Sequence, residues 1–271
     1  MNSSIENTYP YYSYIPSCIA ANSLALIIYI LLIIWFIQSL YVKCNPRPII
    51  IFIYVSHLVT FIELIFRGTL HIDILNTKVF YRITSSLISI SPRLILLANY
   101  HCLIELRGKT RRRILDRTTD IMLPFGAISA AILLIIGNQF AFNSNRFHLS
   151  FALRQISAGL VLGLCLFFYI VWHFSVSHSR RLYILLLLTI SSICVLIEAI
   201  YVQLMSIPSF FIILSKNELW YYLFHVIPVF VGLTTWSIFH PSRLLPPPEN
   251  QVQHDQSGKE LLPPLPSSLV D

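Results

Sequence analysis

Residues 182–205 read LYILLLLTISSICVLIEAIYVQLM, a run of 24 residues with one charged side chain, Glu198. A helix rises about 1.5 Å per residue, so roughly 20 apolar residues cross a hydrocarbon core about 30 Å thick. No soluble helix needs an apolar run of this length. The run therefore predicts a transmembrane helix.

Six further runs have the same character, and the chain as a whole is 56% apolar, 11% charged and has a mean hydropathy of +0.71. These values exclude an ordinary soluble domain. Together the runs predict an all-α fold, a seven-transmembrane helix bundle. The predicted spans are 18–42, 49–70, 83–104, 121–142, 151–174, 182–205 and 220–239.

The basic residues of the connecting segments predict the orientation. With the N-terminus outside, the cytosolic segments carry twelve of the 19 lysines and arginines, the outer segments carry four, and three lie in spans. Positive charge is retained on the cytoplasmic side of membrane proteins. We therefore expect an extracellular segment at 1–17, a membrane domain at 18–239 and a cytosolic tail at 240–271.

The two ends of the chain carry their own signals. Asn2 begins an Asn-Ser-Ser sequon, which predicts N-glycosylation if that end is outside. The tail from His240 onward holds seven of the 15 prolines, which predicts a disordered segment that a proline-recognising domain could bind. No lysine or arginine precedes the first run, so we interpret it as a span and not as a cleaved signal peptide.

Several function classes do not fit this sequence. The net charge of +7 lies in short connectors and not in a stripe interleaved with aromatic residues, so we expect no nucleic-acid partner. The five cysteines show no CxxC spacing, so no metal site is predicted. The connectors have no room for an extramembrane catalytic domain and contain no phosphate-binding loop. We expect no enzymatic activity and no cofactor.

Ionisable side chains inside the spans are the best functional candidates, because an ionised group in hydrocarbon needs a partner or water. In the predicted orientation most of them fall in the outer half of the bundle. We expect them to line a polar cavity that binds the head of an amphipathic ligand. The candidates are Glu63, Arg67, Arg93, Arg154, Glu198 and His225.

Short motifs in several spans resemble one known family. Residues 14–22 read YIPSCIAAN, similar to the start of the fungal lipid-translocating exporter family, also called RTA-like. The resemblance extends in order over residues 14–245. It rests further on Ser91-Pro92, Gly159-Leu160, Glu218, Tyr222, Pro228 and His240-Pro241.

The resemblance implies a seven-helix protein of lipid and drug-resistance biology, since family members are linked to sphingoid-base export and to resistance to azoles and aminosterols. It implies a lipid or sterol-like ligand at the plasma membrane. Several polar positions depart from the family pattern, including Gly163, Glu198, Val202 and His225. The chain therefore resembles a divergent member.

Two other readings stay open on the sequence. A seven-helix chain with this orientation could be a receptor for a small or lipid ligand, although Glu105-Leu106-Arg107 is a poor match to the receptor DRY motif. A seven-helix zinc hydrolase would need several histidines near one leaflet. His225 and His240 stand at opposite ends of the last span, which disfavours that reading.

Overall fold

The computed structural model describes residues 17–41, 47–69, 78–107, 115–141, 143–176 and 182–241. These ranges are 93% helical and contain no strand. A 3₁₀ turn covers Ser144–Arg146 and a π-helical turn covers Tyr222–Val226. The α-helices are Cys18–Tyr41, Arg47–Thr69, Lys78–Leu87, Ile90–Arg107, Leu115–Phe140, Phe147–Val176, Leu182–Met205, Pro208–Leu214, Glu218–Tyr221 and Ile227–Ile238.

Seven helical segments within these ranges are long and apolar enough to cross a membrane, which confirms the predicted fold class. The protein is an integral, multi-pass membrane protein. From the first to the seventh, the spans are Cys18–Tyr41, Pro48–Thr69, Arg82–Leu106, Met122–Phe140, Phe147–His173, Leu182–Met205 and Glu218–Ile238.

The fifth span begins four residues earlier than its hydropathy suggests. Asn143 accepts a hydrogen bond from the Asn145 amide at 3.1 Å, and the 3₁₀ turn that follows runs directly into the helix at Phe147. The helix therefore starts where its cap allows and not where apolar residues begin. Hydropathy does not contain that information.

The third, sixth and seventh spans form the centre of the bundle. Of the residues in the most apolar stretch of each span, 61%, 50% and 56% are buried in the third, sixth and seventh spans. The share is 28% in the first and fourth spans. The third span packs against the second, fourth, fifth, sixth and seventh spans, and the first span closes the ring against the seventh. Polar residues on the three central spans are therefore shielded from lipid.

The bundle has apolar side chains outside and polar ones inside. Large side chains such as Phe125, Ile170 and Leu182 are more than half exposed on the outer surface. Several polar and charged side chains are fully buried, among them Ser56, Glu63 and Arg67. This distribution is expected for a protein whose solvent is lipid, because its polar groups must find partners in the interior.

Prolines disturb two of the central spans. The third span is interrupted at Ile88 and Ser89, four and three residues before Pro92. The seventh contains the π-helical turn, which ends two residues before Pro228. Proline lacks the amide hydrogen for the carbonyl four residues earlier and its ring crowds that carbonyl, so a break or a wider turn relieves the clash.

The described chain continues past the predicted end of the membrane domain. His240 and Pro241 are buried, and the His240 ring lies 4.6 Å from the Trp35 ring. Asn2, the proline-rich residues 242–271 and the basic residues 108–114 lie outside the described ranges. The orientation of the termini and the glycosylation of Asn2 stay predictions.

Candidate functional site

His225 lies between two buried carboxylates. Its Nε2 is 3.0 Å from Glu63 Oε1, and its Nδ1 is 3.3 Å from Glu198 Oε1. The three residues come from the seventh, second and sixth spans, and none of their side chains is more than 3% exposed. We call Glu63, His225 and Glu198 the carboxylate–histidine cluster.

The contacts of the carboxylate–histidine cluster require shared protons. Each contact between a ring nitrogen and a carboxylate oxygen needs at least one proton, because two acceptors cannot bind each other. With these two protons alone the three groups carry one net negative charge, whether the ring is an imidazolium between two carboxylates or a neutral imidazole beside one carboxylic acid. In that state a nearby cation stabilises the cluster.

The π-helical turn contains His225 and places its ring between Glu63 and Glu198. The Ile227 amide donates to the Tyr222 carbonyl, five residues earlier, where an α-helix would use the fourth. Tyr221 precedes the turn and its ring lies 5.2 Å from the His225 ring. The Tyr221 hydroxyl donates to Glu63 Oε1 at 2.5 Å. A single-turn π-bulge of this kind is common at functional sites.

Arg67 provides one cation beside the cluster. Its guanidinium lies over the Tyr221 ring at 3.5 Å, and its Nε is 3.5 Å from Glu218 Oε1. The side chain is fully buried. Glu218 also accepts from the Ser17 amide at 2.9 and 3.1 Å. The start of the first span is thereby tied to the start of the seventh.

Arg93 provides a second cation, near Glu198. It is 8% exposed. Its Nη2 donates to Ser157 Oγ at 3.1 Å, and Ser157 in turn donates to the Ala130 carbonyl at 2.6 Å. Arg93 therefore links the cluster in the second, sixth and seventh spans to the fourth and fifth spans.

A cavity of about 590 Å³, including its mouth, lies next to these residues. Its lining has two kinds of side chain. The polar ones are Ser85, Ser89, Arg154, Ser157, Tyr201, Ser206 and Tyr221. The apolar ones are Ile88, Leu134, Val202, Met205 and Phe211.

Two residues join the cavity to the buried charges. Tyr221 lines the cavity and donates to Glu63, while Ser157 lines it and accepts from Arg93. The break in the third span contributes Ile88 and Ser89 to the wall. An occupant of the cavity would therefore contact side chains that hold the carboxylate–histidine cluster in place.

The six candidates from the sequence occupy two distinct places. His225 contacts both Glu63 and Glu198, and Arg67 and Arg93 lie nearby. All five are buried, and none of them belongs to the cavity lining. Arg154 lines the cavity itself. That these residues serve ligand binding stays a prediction.

Three participants were missed as site residues from the sequence. From the sequence, Glu218 is named only as a family-like position, and Tyr221 and Ser157 are not singled out. A signal for Tyr221 exists, because it precedes His225 by four residues and so shares its helix face. Ser157 carries no such signal, since its role depends on where Arg93 of another span reaches.

The described part of the chain contains no group of three or more histidine, cysteine, aspartate or glutamate side chains arranged to hold a metal ion. The carboxylate–histidine cluster has residue types that can bind a metal ion, but these types alone do not make a metal site. Glu63 and Glu198 contact opposite nitrogens of His225. The three side chains therefore bridge one another and do not converge on a single point.

Comparison with protein families, with curated proteins and with solved structures found no match. The resemblance to the lipid-translocating exporters stays a prediction made from short motifs.

Proposed function

We propose that this multi-pass membrane protein binds an amphipathic lipid or sterol-like compound in the described cavity and moves it across the plasma membrane or regulates its movement. The observation that carries the proposal is the mixed lining of the cavity. It offers a guanidinium and hydroxyl groups together with aliphatic and aromatic side chains. Such a lining matches a molecule with a polar head and an apolar body.

The position of the cavity supports the same proposal. Arg154 is near the start of the fifth span and Met205 ends the sixth, so the cavity lies toward one face of the membrane. A lipid-like molecule at that depth keeps its head near the interface and its body among the spans. The buried cluster behind Tyr221 supplies a polar element that binding could shift, because Tyr221 belongs to both regions.

Filling the cavity tests the proposal. Leu134 lines the cavity and is 6% exposed, whereas its neighbour Ile135 is 52% exposed on the outer surface. Leu134→Trp should expel a bound amphiphile, and Ile135→Trp should not. Lipids retained by the purified protein in detergent would be counted by native mass spectrometry. Equal retention by the two variants would overturn the proposal.

A second pair of substitutions guards against a folding defect in the first. Val202 lines the cavity, and Ile200 on the same helix is 44% exposed. Val202→Phe adds less bulk than a tryptophan and should still lower retention, while Ile200→Phe should leave it unchanged. Monodisperse elution of each variant in size-exclusion chromatography shows that it is folded. Retention by a folded Val202→Phe protein equal to that of Ile200→Phe contradicts the proposal.

An assay in living cells distinguishes a protein that moves a lipid from one that senses it. Cells lacking or overproducing the protein would be challenged with amphiphiles that carry acidic, zwitterionic or basic heads, with sphingoid bases and aminosterols among the basic ones, and export would be measured directly. A difference in export that Leu134→Trp abolishes supports transport or its regulation. Ligand-dependent G-protein coupling without any change in export supports the receptor alternative. An N-terminal epitope read on intact cells tests the orientation and the plasma-membrane location.

A further inference from the structure

The cavity also indicates which kind of head group it accepts. We infer that the bound amphiphile carries an acidic head, such as a phosphate or a carboxylate, which is held by Arg154. This inference rests on the proposed function, since it specifies the ligand of the same cavity. It concerns the sign of the head-group charge and not the length or shape of the apolar body.

The charge of the lining is the first observation behind this inference. Arg154 lines the cavity, and no aspartate or glutamate belongs to its lining among the described residues. A guanidinium has five N–H donors in a planar fork, which suits two oxygens of a phosphate or carboxylate. It can donate to such a head whatever other groups it contacts. A cationic head would instead meet a like charge.

Further donors lie along and near the wall. The Ser85 hydroxyl lines the cavity. Arg93 is more than nine-tenths buried and donates to Ser157, which lines the cavity. Arg93 itself is not part of the lining, so it adds positive charge beside Ser157 without contacting the occupant.

The carboxylates of the cluster do not line the cavity. Glu63 and Glu198 bind opposite nitrogens of His225, and the Tyr221 hydroxyl donates to Glu63. Neither glutamate belongs to the cavity lining, whereas Tyr221 does. Both carboxylates thus contact the histidine, and Arg154 is the charged residue of the lining among the described residues.

The experiment compares three lipids that share dioleoyl chains. Dioleoyl phosphatidic acid, dioleoyl phosphatidylcholine and dioleoyl trimethylammonium propane carry an acidic, a zwitterionic and a cationic head. Binding to the purified full-length protein would be measured by native mass spectrometry in a neutral detergent. We expect phosphatidic acid to bind about tenfold or more tighter than the cationic lipid, as one charge-assisted hydrogen-bonded pair provides.

Variants connect this preference to the cavity. Arg154→Gln should lower the affinity for phosphatidic acid about tenfold or more and leave phosphatidylcholine within about twofold, because only the acidic head uses the full charge. Ser85→Ala should have a smaller effect of the same sign, about threefold. Arg146→Gln is the matched control. Arg146 precedes the fifth span, is exposed and lies against the Phe140 ring outside the cavity.

The outcomes distinguish the two proposals. If Leu134→Trp abolishes lipid retention but the cationic lipid binds as tightly as phosphatidic acid, the proposed function stands and the acidic-head inference is wrong. Equal losses in Arg154→Gln and Arg146→Gln also overturn it, since general surface charge would then explain the preference. If Arg154→Gln does not fold, the relative affinities of the three lipids for the unmodified protein test the acidic-head inference.

Discussion

Two buried histidines of this bundle have opposite surroundings. His225 bridges the carboxylates of Glu63 and Glu198. His57, also fully buried, contacts only neutral groups among the described residues: its Nδ1 lies 2.8 Å from the Ile53 carbonyl and its Nε2 lies 3.4 Å from the Ser237 hydroxyl. The same residue type therefore builds a charged cluster at one end of the seventh span and a neutral contact near the other.

This contrast shows how to separate structural from functional polar residues in a membrane. A neutral imidazole suits His57, because Nδ1 donates to the Ile53 carbonyl and Nε2 can share the Ser237 hydroxyl proton with the Leu233 carbonyl, so helix packing accounts for this histidine. The surroundings of His225 need shared protons and two flanking arginines, an arrangement that is costly to bury. It also adjoins a cavity through Tyr221. The charged region is the one with a candidate function.

Replacing each histidine by leucine gives the largest expected difference. His225→Leu leaves two buried carboxylates without a shared proton donor, which should cost about 3–5 kcal/mol. His57→Leu loses contacts between neutral groups and should cost about 1 kcal/mol. Thermal unfolding in detergent measures both. Similar losses of stability would remove the distinction between the two histidines.

A second substitution near His225 should partly restore stability. Adding Glu198→Gln to His225→Leu removes one uncompensated carboxylate and should recover about 1–3 kcal/mol. In the His57→Leu background, Glu198→Gln should cost as much stability as it does in the unmodified protein, because His57 and Glu198 share no partner. A double-mutant cycle measures the coupling. Strictly additive effects in both backgrounds would show that the cluster is not coupled.

Two buried tyrosines repeat the comparison on a smaller scale. Tyr221 donates to the Glu63 carboxylate at 2.5 Å, and Tyr100 donates to the Leu164 carbonyl at 2.8 Å. Removing a hydrogen bond to a charged group costs about 1.5–3 kcal/mol, against about 1 kcal/mol for a neutral pair. Tyr221→Phe should therefore lower the unfolding midpoint more than Tyr100→Phe does. The reverse order would mean that Glu63 does not depend on Tyr221.

Alanine substitutions at two glycines give the smallest expected difference in stability. A methyl group on Gly137 would come within 3.0 Å of Arg154 Cγ and 3.3 Å of the Ser150 carbonyl oxygen, whereas one on Gly163 would meet nothing within 4 Å. Gly137→Ala should cost about 1–2 kcal/mol by overpacking behind Arg154. Gly163→Ala should change stability by about 0.5 kcal/mol or less. Unfolding midpoints of the two variants test this, and a harmless Gly137→Ala would show that Arg154 has room to move.

The candidate site was only partly accessible from the sequence. Glu63, Glu198 and His225 stood out because a charge in an apolar run is unusual, and the structure brings these three into contact. The expectation that all six candidates line a cavity did not anticipate two layers, with five residues buried and Arg154 on the wall. Depth along a helix is readable from position, but the direction in which a side chain points depends on its neighbours.

The sequence by itself determined the seven spans and the all-α class, because length and hydropathy are properties of each segment alone and need no knowledge of its neighbours. Helix rotation and packing decided the rest. They placed two glutamates on opposite nitrogens of His225, brought Tyr221 between the cluster and the cavity, and put Arg154 on the cavity wall. Those contacts join residues up to 162 positions apart, a separation that no local pattern encodes.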